Sequence, residues 1–457
     1  MTVSELKKNH APIIDGTPLW VSGYHEPGDG GEGFFQWMPG GAREGDGGHW
    51  ISAPQGGGGW MRAAISAEVN VKHFGARGDG KTDDAPAFRN AIKVCRTGSR
   101  LVVPPGEYAF GSRIVFDVFD LEIDGGGTIV PFGDYSDYLI EFGRPDRAII
   151  GPYEGSNIYQ GRYRVQRLTI RGRDQSRGIF LAHIDQAMFD NITIEGTRGT
   201  AMRLHNCRHN VFRNVFISRC RGQGEPMLDL FQMSKQPDPY GGCWQGAPGL
   251  VDRNVYNTFY SLKIEICDAE TYLDIGTEDP ASPYISQNTG DNHFIGCIFH
   301  GLVRDYLQPD WEGVYRMNLG FRKVPWNIYD YKGPKNIRMV RIRNATGTQF
   351  SQCHFTFGST GGVLIEAGEP GRPAIHTRMI ACGFGLGSRP LEGVNITDNR
   401  AIKLENVDEF HVWATQLWAT DSPGYQKQWV CGVDASKLYI NGVRRGASDC
   451  IGIESGP

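Results

Sequence analysis

The segments "NVFRNVFISRC" (Asn210–Cys220), "NTFYSLKIEIC" (Asn257–Cys267), "NHFIGCIF" (Asn292–Phe299) and "TQFSQCHF" (Thr348–Phe355) are four versions of one phrase. Each has a polar residue two places before an aromatic, then apolar residues three and five places after it. Outward from these, the spacing recurs in Val165/Leu168/Ile170, Phe189/Ile192/Ile194 and Met379/Cys382/Phe384. It recurs also in Val118/Leu121/Ile123 and, more weakly, in Phe410/Trp413/Thr415 and Ala435/Leu438/Ile440. Starts at 165, 189 and 212 are 24 and 23 residues apart. That period is one coil of a β-solenoid with three short strands, and the wider gaps hold a coil plus an inserted loop.

Composition agrees with many short strands joined by turns: 62 glycines and 25 prolines in 457 residues, with 11% aromatics. A net charge of −4, with Lys and Arg scattered, gives no case for nucleic acid or an anionic membrane surface. No apolar run reaches the length of a membrane span, and "MTVSELKKNHAPIIDG" lacks the apolar centre of a signal peptide. Neither membrane insertion nor classical secretion is therefore expected. The ten cysteines include no Cys-x-x-Cys pair, and several fall at the repeat position, so they read as mostly buried free thiols rather than a metal site.

A solenoid needs its ends covered, because the last coil exposes unpaired backbone and apolar side chains. "VKHFGARGDGKTDDAPAFRNAIKVC" (Val71–Cys95) supplies a cover. Its glycines do not follow a dinucleotide or P-loop spacing, and Asp79, Asp83 and Asp84 would repel a phosphate. Asp79-Gly80 instead predicts a turn, and Thr82 or Asp83 caps a helix over 82–96 with an apolar stripe of Phe88, Ala91, Ile92 and Cys95.

"FGARGDGKTDDAPAFRNAI", followed by "LVVPPGEYAFGSRIVF" and "LEIDGGGTIV", resembles the start of the pectate-lyase-like right-handed parallel β-helix proteins. That superfamily includes many phage tailspike depolymerases and bacterial polysaccharide lyases and hydrolases. The resemblance implies an all-β, single-stranded right-handed parallel β-helix over 67–457, with roughly ten or more coils. Residues 16–63 resemble a small module that often precedes such helices, which implies an anchoring or oligomerising unit over 1–66. It also implies a polysaccharide partner, a homo-oligomer, with trimers common among tailspike-like relatives, and action outside the cell or on a virion, otherwise in the cytoplasm.

Chemistry has to be argued from residues, because a fold does not give a function. Long inserted loops are expected over 231–256 and 301–346, bracketing the coil that starts at Phe259. They carry "MSKQPDPYGGCWQGAPG" and "RDYLQPDWEGVYRMNLGFRKVPWNIYDYKG", in which Trp311, Tyr315 and Trp326 suit sugar rings, or alternatively pack the loop down. A second strand follows each start, in "AMRLH", "MLDLF", "YLDIG" and "IKLEN". With Leu228/Leu230 and Leu273/Ile275 inward, Asp229 and Asp274 face outward on coils about 4.8 Å apart. Two carboxylates so close do not both ionise comfortably, which makes an acid beside a base or nucleophile.

Lys263 and Glu265 are expected outward on the first strand of that coil, with Glu195 below and His300 above; "DIGTEDP" adds Glu278 and Asp279. The bland alternative makes these turn and solvated ladder residues. The leading expectation is a glycosidase with Asp229 and Asp274 catalytic, Glu265 in support, and Arg203, Lys263, Glu278, Asp279, His300, Trp311, Tyr315 and Trp326 on the substrate, with no cofactor. A polysaccharide lyase is the rival: it needs Arg or Lys against a uronate carboxylate, supplied by Arg203, Lys263, Arg304, Arg316, Arg322 or Lys323, and often calcium. A third reading is a glycan-binding fibre or adhesin rod without chemistry. In that case neutralising both aspartates should stabilise the fold by relieving repulsion.

Overall fold

The computed structural model describes residues 1–8, 18–40, 43–143 (apart from 55 and 64–66), 160–232 (apart from 206), 254–277, 289–301 and 336–386 (apart from 357–360). Short stretches at 307–309, 315–317 and within 399–452 are also described. In-register parallel strands put equivalent side chains directly above one another at the interstrand spacing. The aromatic of each phrase accordingly becomes a rung. Phe189, Phe212, Phe259, Phe294 and Phe350 stack with ring centroids 4.5 to 5.2 Å apart. A second inward column pairs Ile217 with Ile264, Phe299 and Phe355 in successive coils. Both columns belong to one continuous buried core along a 33-strand sheet whose ladders are parallel except near the C-terminus.

A left-handed residue sits two places after the inward start of coil after coil: Asn191 (φ 55°), Asn214 (52°), Ser261 (53°), Gln352 (56°), Ala381 (52°) and Ala414 (49°). It bends the first strand, so that 258–260 and 263–265 form two short ladders rather than one. Asparagine at this site is favoured because its short polar side chain tolerates that region. The bend also fixes the register. Val412 pairs with Met379, and Ile440 with Val412, so the weak C-terminal repeats are shifted by two and five residues from the expected starts at Phe410 and Ala435. At the other end Ile123 pairs with Val165 and Ile129 with Ile170, which corrects the expected Val118/Leu121/Ile123 alignment.

The polar residue before each aromatic builds an internal amide ladder. Asn257 Nδ2 donates to Asn292 Oδ1 (3.0 Å) and to the Cys207 carbonyl (2.8 Å), while Asn210 Nδ2 donates to Asn257 Oδ1 (2.9 Å). All three side chains are fully buried, so the ladder satisfies corner backbone that water does not reach. Seven of the cysteines are described as free and buried.

The cap is the helix Ala85–Val94, shorter than the expected 82–96, because Asp79–Asp83 is a strand paired with Glu107–Phe110. Neither Thr82 nor Asp83 is its N-cap. Asp84 takes that position, but its carboxylate accepts from the Arg77 and Gly78 backbone N–H groups (2.6 and 3.0 Å) and so ties down the preceding loop. Phe88 meets Tyr108 and Phe110 edge-on, sealing the first coil. Residues before the cap form a four-stranded antiparallel sheet, Leu19–Val21, Gly33–Pro39, Gly58–Arg62 and Trp50–Ser52, with its own core of Val21, Phe35, Trp37, Ile51 and Trp60. His25 Nε2 lies 2.8 Å from the Gly75 carbonyl and joins this sheet to the cap. Among the described residues no helix is long and apolar enough to cross a membrane.

Candidate functional site

Three successive strands, Met202–His205, Leu228–Gln232 and Thr271–Thr277, pair in register with Asn336–Arg343, Gly361–Ala367 and Asn399–Trp413 beyond them. Each carries an apolar–charged–apolar triplet whose outer residues enter the core. The charged residues therefore form one outward column: Arg203, Asp229, Asp274, Arg341, Glu366 and Lys403. Asp229 is the register partner of Asp274, so adjacent coils do set the two carboxylates side by side. Both are nearly buried, at 5% and 4% exposure.

Arginines bracket the pair. Arg203 Nε donates to Asp229 Oδ2 at 2.8 Å. Asp274 accepts from Arg341 and from Arg343 Nη2, the latter at 2.9 Å, and Arg343 is itself only 7% exposed. This changes the electrostatics expected of an isolated pair, because guanidinium charge offsets the mutual repulsion of the carboxylates. The column continues with Glu366 held by Lys403 (2.7 Å) and Arg338. Below the pair, Glu225 clamps the preceding corner: it accepts from Thr200 N and Oγ1 (each 2.9 Å) and from Arg177. Burial pushes the Glu225 carboxyl up, but the Arg177 and Thr200 bonds override it and hold the group at about 2.

Glu265 belongs to a second column on the same coil. It lies between Ser218 and His300, so Glu195 is two coils below rather than next to it. Lys263 Nζ is 2.7 Å from Glu265 Oε2, and Glu265 is 5% exposed. Burial pulls the His300 imidazole below its ordinary value; Glu265 opposes this, while His354 and Lys263 reinforce it. The structure thus gathers Arg203, Asp229 and Asp274 in one column, and Lys263, Glu265 and His300 around the other. Ile266 (φ 56°) turns the chain between the strands that carry Glu265 and Asp274.

Sequence reasoning missed Arg341 and Arg343, which had been assigned to the loop over 301–346 although Asn336–Arg343 is a coil strand. Val340-Arg341-Ile342 has the same triplet form as Leu273-Asp274-Ile275, and that signal would have found them. Glu278, Asp279, Trp311 and Trp326, with Arg304, Arg322 and Lys323, lie outside the described residues. Tyr315 and Arg316 fall in strand Tyr315–Met317, paired antiparallel with Leu307–Pro309. Residues 233–253 and 278–288, which follow in sequence on the strands that bear Asp229 and Asp274, lie outside the described residues. Among the described residues no group of three or more His, Cys, Asp or Glu side chains could hold a metal ion. Asp229 Oδ2 and Asp274 Oδ2 both accept from guanidinium groups.

This architecture defines a parallel β-helix protein with a buried carboxylate pair on one outward face. Residues 68–132 match the family described as rhamnogalacturonase A/epimerase, pectate lyase-like. The chain is 32% identical over 75 residues to an exo-poly-alpha-D-galacturonosidase of Dickeya chrysanthemi, covering 16% of this chain and 12% of the relative. It is 56% identical over 47 residues to an exopolygalacturonase of Arabidopsis thaliana, covering 10% and 11%. The chain thus matches only a small part of these curated relatives. Among solved structures it is similar to the enzymatically active domain of tailspike protein 2 from bacteriophage CBA120, with TM-score 0.62 and 11% identity over 96% of this chain and 61% of that one. It is also similar to the gp42 tailspike of Acinetobacter phage vb_AbaP_AS12, with TM-score 0.56 and 14% identity over 100% and 77%.

Proposed function

We propose that the protein cleaves glycosidic bonds of a polysaccharide by hydrolysis, with Asp229 and Asp274 as the acid and the base or nucleophile. The observation that carries this reading is the register pairing of two nearly buried carboxylates on adjacent coils. Paired carboxylates on opposite sides of a glycosidic oxygen are what protonation of the leaving group and attack at the anomeric carbon require. Arg203, Arg341 and Arg343 orient the pair, and Glu265 with His300 extends the polar face over two adjacent coils. The polygalacturonase names of the curated relatives, and the description of the phage domain as enzymatically active, support the same reading.

A β-eliminating lyase is the second reading, favoured by the guanidinium groups beside the carboxylates, since elimination needs a cation against a uronate carboxylate. The test is to incubate the protein with neutral and uronate-containing polysaccharides and follow reducing ends together with the ultraviolet absorbance of unsaturated product. Reducing ends without absorbance, lost in Asp229→Asn, support hydrolysis; both signals rising replace it with elimination. Silence on every polymer would favour a glycan-binding rod. The assembly we propose is a homotrimer acting outside the cell or on a virion; light scattering giving three chain masses supports it, and one mass refutes it.

A further inference from the structure

The junction between the N-terminal sheet and the cap encloses a cavity of about 380 Å³ that none of the glycan chemistry uses. Its polar wall comes from His49, Arg62, Asn70, His73, Arg96 and Ser99, and Val69, Phe74 and Val94 form an apolar wall. Arg62 is 6% exposed, yet its guanidinium donates only to carbonyls: Nε to Gly48 (3.1 Å), Nη1 to Glu32 (2.8 Å) and Nη2 to Gly31 (3.1 Å). Among the described residues it has no carboxylate at ion-pair distance; Glu32 and Asp46 attract it from farther away, and the face of Phe35 lies 4.6 Å off. A buried charge without a counter-ion in direct contact is unfavourable, so the cavity beside it is a place where an anion gains.

Two further features agree. His49 places Nδ1 3.7 Å from Asp46, while its Nε2 is buried with no hydrogen-bond partner among the described residues. The fixed charges on the wall are Arg62, Arg96 and Glu68, and Glu68 is paired with Arg100 at 3.2 Å. With Glu68 offset by Arg100, the wall keeps a positive surplus from Arg62 and Arg96, which favours an anion. The volume, at the lower end of the roughly 300–1,000 Å³ of ligand pockets, suits a single small molecule.

We propose that this cavity binds a hydroxylated monocarboxylate of monosaccharide size, its carboxylate against Arg62, His49 and Arg96 and its less polar face on Val69, Phe74 and Val94. Thr97 and Gly98, exposed at the turn after the cap helix, form the mouth. This site is separate from the Asp229/Asp274 column and does not depend on the reading given to it.

The test is calorimetric titration of the full chain with D-glucuronate, and with D-glucose as the uncharged control. The expected result is a dissociation constant on the order of 1 mM for the acid, with no heat from glucose. Arg62→Met risks unfolding the sheet, so the deciding variants are Arg96→Ala, at an exposed position, and His49→Gln. Each should weaken binding at least about tenfold, an amount corresponding to loss of one charged contact. The Asp229→Asn/Asp274→Asn double variant, checked for folding by circular dichroism, should bind as the unmodified chain does. No binding of the acid, equal binding of glucose, or binding lost in the aspartate variant but kept in Arg96→Ala would overturn the proposal.

Discussion

Replacing Asp274 by asparagine keeps its shape and removes one charge from a crowded column, and two opposed effects follow. Relief of repulsion from Asp229, about 5 Å away, is worth about 3 kcal/mol at an effective dielectric of about 20. Against it stand two lost attractions, to Arg341 and Arg343, each about 4 kcal/mol at 4 Å on the same scale. The variant also takes the Asp274 counter-charge from Arg343, which is 7% exposed and keeps Glu369 at 3.7 Å. Removing one partner of a buried ion pair typically costs about 3–5 kcal/mol, and the Glu369 contact puts this case near the lower figure. Asp274→Asn should therefore destabilise the protein by about 3 kcal/mol, opposite in sign to what an isolated carboxylate pair would give. Urea unfolding, with hydrogen exchange read at 227–232 and 271–277, measures it, and the exchange data keep the result meaningful if coils unfold separately. Adding Arg343→Met should recover part of the loss, because the stranded charge goes with it. A midpoint unchanged or raised in Asp274→Asn would refute the reasoning.

Asn257→Leu takes one partner from Asn210 Nδ2, which keeps the Ile184 carbonyl, and one from the Cys207 carbonyl, which keeps the Val255 N–H; it should cost about 1–3 kcal/mol in urea unfolding, whereas a loss under about half a kcal/mol would mean that the amide ladder is dispensable. Phe259→Ala opens a gap between Phe212 and Phe294, stacked at 4.5 and 4.8 Å, and should cost about 3–5 kcal/mol by the same assay. Burial, reinforced by Arg62, pulls His73 from 6.5 to about 4. The unfolded chain then binds the proton first, so stability contributed by the neutral imidazole is present above pH 6.5 and is lost as pH falls toward about 4. His73→Gln should flatten melting temperature against pH in that window, and an unchanged slope would exclude the residue as its source.

The core was legible because stacking demands repetition: coils that pair in register need equivalent inward residues, so Phe212, Phe259, Phe294 and Phe350 advertise themselves. The pairing of Asp229 with Asp274 could be inferred for the same reason, through the leucines that flank them. What the sequence hid was whatever interrupts the count. The residues between Thr277 and Asn336 separate Asp274 from its next coil, so Arg341 and Arg343 looked like loop residues. Near the C-terminus Met379 still showed its place through Cys382 and Phe384, but Val412 did not, because the aromatic Phe410 two places earlier drew the count away; the left-handed Ala414 marks the true start. The cap helix began late because Asp84 spends its carboxylate on the loop before it, a long-range use that local capping rules do not anticipate.

Cleavage of a glycosidic bond at the Asp229/Asp274 coils, as proposed, is open to direct observation. The most direct measurement is a crystal structure of Asp229→Asn soaked with an oligosaccharide of whichever polymer the chain degrades. The account predicts a glycosidic oxygen within hydrogen-bonding reach of the residue at 229, with Asp274 facing the adjoining anomeric carbon. An oligosaccharide bound on another face, with both positions untouched, would contradict it.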